Sequence, residues 1–258
     1  MNVNYDQFVN ELVWYLLPLF RVAAFVMAAP ILSTAMIPMN VRVIISVAIS
    51  IAIFPSLTPD NSIDPVSLEM ILLIFQQFLI GVSLGFVMQF MFAAVVMGGQ
   101  VIGMQMGLGF AQMMDPQTGV SVPVVSQFYN IIAVLLFLSI NGHLVLIQIL
   151  AESFNAIPIG DIGMPLSALE SLVYFSAWIF SGALIMVLPA VVALLMINMV
   201  MGVMTRATPQ MNIFAVGFSI TITAGFIIIM VTLSTALPQL IMLFDEGFMF
   251  MRTMLVAS

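Results

Sequence analysis

The sequence predicts an all-α integral membrane protein built of long, kinked helical hairpins. Of its 258 residues, 63% are hydrophobic and 6% are charged, whereas a soluble domain carries about a quarter charged residues. The apolar residues fall into about six long segments, and none of them alternates apolar and polar residues as the strands of a membrane barrel do. This composition excludes a freely soluble globular enzyme. It also excludes a disordered chain, which would be poor in apolar residues.

The charged residues and the absence of cysteine exclude further classes. Four Arg, eleven Asp plus Glu and one His give a net charge of −7 without a basic run. This argues against binding to nucleic acid and against electrostatic docking on anionic lipid. A chain without Cys has no disulfides, no thiolate metal sites and no thiol nucleophiles. The sequence also contains no phosphate loop, dinucleotide fingerprint, EF-hand or zinc pattern, so we expect neither a metal nor any other cofactor.

Each apolar segment has, or nearly has, the length of a membrane-spanning helix. A helix crosses a hydrocarbon core about 30 Å thick in about 20 residues. The segments cover about 12–36, 41–57, 68–97, 124–150, 171–204 and 213–244. Asp6 and Glu11 precede the first segment, where a signal peptide would carry basic residues, so we expect no signal peptide. Together the segments predict one membrane domain over residues 1–258.

In the first segment, Arg21 lies deep among apolar residues, and Pro18 is expected to kink the helix. A charged residue at the centre of a bilayer costs at least about 2.5–3.5 kcal/mol. Arg21 is therefore expected to contact another helix or subunit. The alternative is a displaced helix from which Arg21 snorkels to the membrane surface.

The third and fifth segments are too long for simple spans, at roughly 45 Å and roughly 50 Å if helical. Tilt and a kink at Pro189 would absorb part of the excess. Alternatively, these helices bury apolar flanks against partner subunits outside the bilayer. Helix length alone leaves both possibilities open.

The distribution of charge predicts an orientation for six crossings. The N-terminus and the loops near 58–67 and 151–170 contain acidic residues and no basic residue. Arg42 and Arg206 lie in the opposite loops and are therefore expected in the cytoplasm. The even number of crossings then places the tail with Arg252 outside, which fits the positive-inside rule less well.

Residues 97–119, MGGQVIGMQMGLGFAQMMDPQTG, differ from every other stretch. Each glycine in a helix costs up to about 1 kcal/mol relative to alanine, so a rigid, continuous helix is not expected here. Glycines spaced four apart permit close backbone approach, and the Asp115-Pro116 pair is typical of a turn. The glycines assigned to hinge or close-packing roles are Gly99, Gly103, Gly107 and Gly109.

Flexible apolar side chains are interleaved with these glycines. Methionine is unbranched and adapts to gaps of changing shape, so the segment could close a passage against water and ions and then move aside. The alternative is an ordinary helix–loop–helix connection in a chain that has 24 methionines. The side chains in question are Met104, Met106, Leu108, Phe110, Met113 and Met114.

The other polar residues in the apolar segments are expected to have structural roles rather than roles in catalysis or metal binding. Asn141-Gly142-His143 predicts a break in a helix or an interhelical hydrogen bond, because a single His cannot form a His-pair metal site. The polar side chains expected to bond between helices are Gln76, Gln77, Gln89, Gln148 and Asn198.

The sequence Gly81-Val82-Ser83-Leu84-Gly85 matches the nucleophile-elbow pattern of serine hydrolases. That pattern is meaningful only at a strand-to-helix turn, and here it lies within a long apolar helix. Gly81 and Gly85 instead fit the small-xxx-small motif of packed helices. We therefore do not expect an enzyme.

Taken in order, several motifs resemble the FliR family of the flagellar type III export gate and its virulence-injectisome relatives. The resemblance covers about residues 20–215, and the order of the motifs makes it specific. The motifs are Arg21 with Pro30, Pro38-Met39-Asn40-Val41-Arg42, Gly99-Gln100, Gly103-Met104-Gln105-Met106-Gly107, Asp115-Pro116, Asn141-Gly142-His143, Ser153-Phe154 with Pro158 and Gly160, and Arg206 with Pro209-Gln210 and Asn212.

This resemblance implies a non-enzymatic channel subunit at the flagellar basal body in the bacterial inner membrane. It implies a helically arranged hetero-oligomeric gate with FliP-like and FliQ-like subunits, which FlhB-like and FlhA-like components join. Unfolded flagellar proteins would pass through it, and the loop at about 104–119 would plug the conduit. Contacts with partners or a structural role are expected for Arg21, Arg42, Asp115, Pro116 and Arg206. The alternative is a small-molecule or ion transporter with a broken helix at residues 98–119.

Overall fold

A computed structural model describes residues 5–32, 37–57, 67–109, 124–160, 164–207 and 213–256. Within these ranges the chain forms eight α-helices and one short 3-10 helix, and no strand. The α-helices are α1 (Tyr5–Ala28), α2 (Met39–Ile53), α3 (Leu68–Gln105), α4 (Val124–Ser139), α5 (Gly142–Ala156), α6 (Leu166–Phe175), α7 (Trp178–Ala207) and α8 (Ile213–Val256), and the 3-10 helix is Phe54–Ser56. The predicted all-α fold is confirmed, and each of the six apolar segments contains one or two of these helices.

Three helical stretches are long and apolar enough to cross a membrane: Leu68–Gln105, Leu166–Met204 and Gly217–Val256. The bent pair α4–α5 makes a fourth if it counts as one span. Trp14–Ala28 and Met39–Ile53 are apolar but shorter. The described helices thus offer three or four spans by length and composition, which fits a helical integral membrane protein. Six crossings, and the orientation based on them, stay a prediction.

The helical run at 124–156 is interrupted at Asn141, as the Asn-Gly-His motif predicts. Asn141 has a left-handed backbone conformation, with φ of 56°, which asparagine tolerates better than most residues. The helices before and after it, α4 and α5, are bent by 66° relative to each other. The interruption therefore ends α4 and lets α5 begin in a new direction.

The run at 166–207 is also interrupted, but at a position that the sequence did not indicate. The gap between α6 and α7 falls at Ser176 and Ala177. Pro189 lies inside α7 and Pro18 inside α1. Serine and alanine are common inside helices, so their identity gave no sign of a break here.

The glycines at 98–103 do not interrupt α3, which corrects the expectation of a discontinuous helix. The helix runs without a break from Leu68 to Gln105. A side-chain carbon at Gly99 would lie 2.5 Å from the Cα of Ser126 in α4, and one at Gly98 would lie 2.8 Å from Val187 Cγ1 in α7. Close helix packing at these positions offsets the intrinsic cost of glycine in a helix.

The chain divides into two compact units, and the first comprises Met1–Phe90, Asn141–Ser176 and Glu246–Ser258. In this unit α1 packs against α2, where the rings of Tyr15 and Phe54 stack with centroids 3.9 Å apart. Gly81 and Gly85 in α3 lie directly against α1, at Ala24 and Ala28. The small-xxx-small interpretation is therefore confirmed. In the same stretch, Ser83 donates its hydroxyl to the backbone carbonyl of Leu79.

The second unit comprises Met91–Ile140 and Ala177–Asp245. Its core includes a triangle of aromatic rings from three helices. Phe92 in α3 lies 5.9 Å from Phe137 in α4 and 5.3 Å from Phe244 in α8, and Phe137 lies 5.2 Å from Phe244, between ring centroids. These distances are in the range of favourable aromatic pairs. The triangle packs this part of α3 against its neighbours.

Candidate functional site

The end of α3, in the second unit, is the start of the glycine- and methionine-rich segment. After Gln105 the amide of Gly107 donates to the carbonyl of Met104, and the amide of Leu108 donates to the carbonyl of Gly103, both at 3.0 Å. Gly107 has a φ of +81°. These two bonds with a left-handed residue form a Schellman motif, in which glycine is the preferred residue. A glycine just after an apolar helical run is the sequence signal for this ending.

The side chain of Met106 is directed into the helix packing. It is fully buried, with 0% exposure. It lies against Gly225 of α8, where a Cβ would come within 2.6 Å of Met106 Cε and 2.8 Å of Met106 Sδ. Those distances are too short for non-bonded atoms, so with a side chain at position 225 the side chain of Met106 would have to shift. The sequence did not single out Gly225.

Two polar side chains cap the last carbonyl groups of this helix end. Asn198 in α7 donates from Nδ2 to the backbone oxygen of Gln105 at 3.0 Å and to Gln105 Oε1 at 3.2 Å. Thr221 in α8 has one hydroxyl proton, which lies nearer the carbonyl of Phe218 at 3.0 Å within α8 than the carbonyl of Met106 at 3.4 Å, so its contact with Met106 is the weaker one. The last carbonyls of a helix lack partners within the helix, and here α7 and α8 supply them. The predicted interhelical role of Asn198 is confirmed.

The side chains predicted to form a seal differ in exposure where the structure describes them. Met104 is 63% exposed, Leu108 is half-buried and Met106 is buried. Gly109, predicted as a hinge or close-packing residue, is half-buried. Phe110, Met113, Met114, Asp115 and Pro116 lie outside the described residues.

In the first unit the buried charge is Arg21, with 0% exposure. Its Nε donates to Gln77 Oε1 of α3 at 2.7 Å. Its Nη1 donates to the backbone oxygen of Ser153 at 2.7 Å and to the hydroxyl oxygen at 3.1 Å, and its Nη2 donates to the carbonyl of Ile157 at 2.9 Å. The guanidinium also lies over the ring of Phe154, 4.2 Å from the centroid.

These contacts explain how the bundle accommodates the charge. All of the named partners are neutral, and the carbonyls of Ser153 and Ile157 lie at the C-terminal end of α5. That end carries the negative pole of the helix dipole, so it stabilises a cation. The planar, forked guanidinium reaches α3 and α5 together, which an ammonium group could not do. Arg21 therefore makes the predicted interhelical contact, and snorkelling to the membrane surface is excluded.

Other polar residues lie nearer the surface. Arg42 donates from Nε to the carbonyl of Ile37 at 3.1 Å, and Arg206 is exposed in the last turn of α7. Arg252 pairs with Glu152 at 3.3 Å, a pair that the sequence did not indicate because its members are distant in the chain. Gln148 bonds to Glu152 within its own helix α5, whereas the sequence predicted a bond to another helix. Among the described residues, no group of three acidic or histidine side chains could hold a metal ion.

The fold and these two sites define a class: a helical integral membrane protein whose buried arginine and glycines serve contacts between helices. A family model described as "Bacterial export proteins, family 1" matches residues 12–247. The chain belongs to this family, the FliR family of bacterial export proteins. The match confirms the resemblance and extends it beyond residue 215 into α8.

Individual relatives agree with this assignment. The chain is 40% identical over 246 residues to "Flagellar biosynthetic protein FliR" of Escherichia coli, covering 95% of this chain and 92% of that protein. It is 31% identical over 224 residues to the protein of the same name from Bacillus subtilis, covering 85% and 86%. It is also 26% identical over 220 residues to "Surface presentation of antigens protein SpaR" of Salmonella typhimurium, covering 85% and 82%.

Proposed function

We propose that this chain is a core channel subunit of the flagellar type III protein export gate. In this function it passes unfolded flagellar proteins across the bacterial inner membrane at the basal body, and it performs no chemical reaction. The support is its membership of a family of bacterial export proteins and its similarity to several proteins named for flagellar biosynthesis. Its long apolar helices are suited to a membrane.

The observation that carries the proposal is the end of α3. The unbroken helix α3 leads into the methionine- and glycine-rich segment, and the backbone turns at Gly107. Met104 is exposed there, and Leu108 is half-buried. In the proposed gate, residues 104–119 plug the conduit, and apolar side chains exclude water and ions by dewetting. Flexible methionines allow the plug to yield to a passing chain without breaking strong bonds.

The exposed side of α7 supports assembly with other subunits. Large apolar side chains recur there at spacings of three and four residues and therefore share one helix face. These residues are Leu184, Leu188, Val192, Leu195, Met199 and Val203, and all are exposed. We propose that FliP-like and FliQ-like subunits adjoin this chain in the gate, with FlhB-like and FlhA-like components associated.

A leak assay tests the function. The variants replace Leu108, Phe110, Met113 and Met114 with glycine, or delete residues 107–114, in cells that assemble the complete gate. The closed gate is expected to leak small ions, measured as loss of membrane potential, because the side chains that exclude water are gone. The control is Met230→Ala, which removes an exposed methionine from α8. A deletion variant that assembles, exports flagellar proteins normally and does not leak would contradict the proposal.

Purification separates this proposal from the small-molecule transporter. That alternative assumes a broken helix at 98–119. Because α3 is continuous up to Gln105, the helix is not broken between residues 98 and 105. A gate subunit should be stable and functional only together with its FliP-like and FliQ-like partners. A chain that is purified alone and takes up a small solute in vesicles would favour the transporter.

A further inference from the structure

We propose that α1 joins the other membrane helices only after α5 has been synthesised, because most partners of the Arg21 charge do not exist before then. Until that point α1 lies at the membrane surface, with its guanidinium in water. The inference concerns the order in which the first unit assembles, and it does not depend on the proposed function. It follows from the length of α1, from the partners of Arg21 and from the surface of α3 that receives α1.

Taken alone, α1 is a weak membrane span. Its apolar part, Trp14–Ala28, is shorter than the stretch of about 20 residues that crosses a hydrocarbon core. Asp6 and Glu11 precede this part in the same helix, and Arg21 lies at its centre. A charge at the centre of a bilayer is costly without partners. A short apolar helix with charged residues therefore favours the membrane surface over a transmembrane position.

The partners of Arg21 are made much later than Arg21 itself. Gln77 follows 56 residues later, and Ser153 and Ile157 follow 132 and 136 residues later. Ser153 and Ile157 accept three of the four hydrogen bonds. In the described part of the chain, none of the four involves α2, the helix made directly after α1. Most of the environment that stabilises the charge therefore arrives with the end of α5.

The surface of α3 fits α1 closely but offers little to its charge. Gly81 and Gly85 lie directly against α1, at Ala24 and Ala28, and the missing side chains permit close backbone approach. For the guanidinium, however, α3 supplies a single acceptor, the oxygen Oε1 of Gln77. The site on α3 is thus shaped to receive α1, and the carbonyls of α5 complete the stabilisation of the charge there.

Labelling during synthesis of the full chain tests this order. The chain has no cysteine, so Phe20→Cys supplies a single thiol beside Arg21, at a position that is 38% exposed. The chain is synthesised synchronously on inverted inner-membrane vesicles and treated briefly with a membrane-impermeant maleimide. The growing chains are then separated by length. A thiol at the membrane surface reacts, whereas one inside the hydrocarbon core does not, because the reaction requires the thiolate.

The time available for this measurement follows from the rate of synthesis. At about 5–20 residues per second, residue 157 follows Arg21 after roughly 7–27 s. In the Phe20→Cys parent, chains from which α5 is still missing should be labelled, and longer chains should be protected. Parental chains that are already protected before α5 has left the ribosome would overturn the proposal.

Arg21→Leu, added to the parent, tests the role of the charge. We expect labelling of the shorter chains to fall roughly tenfold or more, because the cost of placing the charge in the bilayer is gone. The matched control is Arg42→Leu, which removes an arginine from the start of α2 and should leave the labelling at the parental level. This comparison precedes the synthesis of α5, so it does not depend on whether the complete variant folds. Equal labelling of the two variants would contradict the proposal.

Arg21→Lys separates the charge from the hydrogen bonds. Lysine keeps the charge, so the shorter chains should be labelled as in the parent. An ammonium group cannot reach α3 and α5 together, so the complete chain should be labelled roughly twofold or more above the parent. Shorter lysine chains that are protected like those of Arg21→Leu would refute the role of the charge. Complete lysine chains protected as fully as the parent would refute the role of the hydrogen bonds to α5.

Discussion

At the scale of single residues, Arg21 is a charge held inside an apolar bundle by neutral groups. Its four hydrogen bonds go to Gln77, Ser153 and Ile157. The sequence predicted that Arg21 would contact another helix, because a charge at this depth requires a partner. It could not identify Ser153 and Ile157, which are more than 130 residues away in the chain and contribute backbone carbonyls. Every residue except proline offers the same backbone groups, so such partners leave no signal in composition.

Removal of the guanidinium should therefore destabilise the first unit. Arg21→Met leaves Gln77 Oε1 and the carbonyls at the end of α5 buried without this donor. We expect a loss of about 1–3 kcal/mol, typical of leaving a buried acceptor without its donor. Arg252→Met, which removes only a surface ion pair with Glu152, should change stability by less than about 1 kcal/mol. Thermal unfolding of the purified complex in detergent compares the two, and equal midpoints would refute the structural role of Arg21.

At Gly107 the backbone conformation explains why the residue is a glycine. Its φ of +81° costs a residue with a side chain about 1–2 kcal/mol, and asparagine tolerates this region better than alanine does. We expect Gly107→Ala to speed hydrogen exchange at the amide of Leu108 more than Gly107→Asn does. Gly109→Ala, at a position without a positive φ, is the control. The same exchange rate in the Ala and Asn variants would contradict this explanation.

At the scale of elements, α3 shows packing prevailing over helix propensity. Propensity alone predicted that the glycines near residue 100 would interrupt the helix. The prediction was wrong because α4 and α7 pack closely against the α3 backbone at these glycines. The interruption at Asn141 was predictable from its motif, whereas the one at Ser176 was not, because neither Ser176 nor Ala177 is a helix breaker. The sequence pattern thus locates apolar helices well and their interruptions only where turn residues mark them.

Two glycine substitutions in the second unit should have opposite effects. Gly99→Ala places a methyl group 2.5 Å from Ser126 Cα, and we expect it to destabilise the protein by about 1–3 kcal/mol through overpacking. Gly202→Ala in α7 meets nothing within 4 Å, and it should stabilise by about 0.5–1 kcal/mol through helix propensity. Thermal unfolding measures both. A stabilising Gly99→Ala would show that close packing does not explain the continuous helix.

At the scale of the whole molecule, the composition predicted a helical membrane protein, and the helices and the family confirm it. The chain has more apolar surface than its own packing buries, as the exposed face of α7 shows. The sequence could not show which part of that surface faces lipid and which part contacts partner subunits, because apolar residues are favoured in both places. The motifs that resemble the FliR family provided the more specific information. The motifs identify the family only as an ordered set, because each one alone is short and common.

The central claim is that residues 107–114 close the export conduit. The most direct measurement is the ion conductance of the complete gate reconstituted in lipid bilayers, with and without these residues, at equal subunit content. The closed wild-type gate should conduct little, and the deletion variant should conduct ions steadily, because no apolar side chains then exclude water from the passage. A deletion variant that assembles fully and conducts no more than the wild type would contradict the claim.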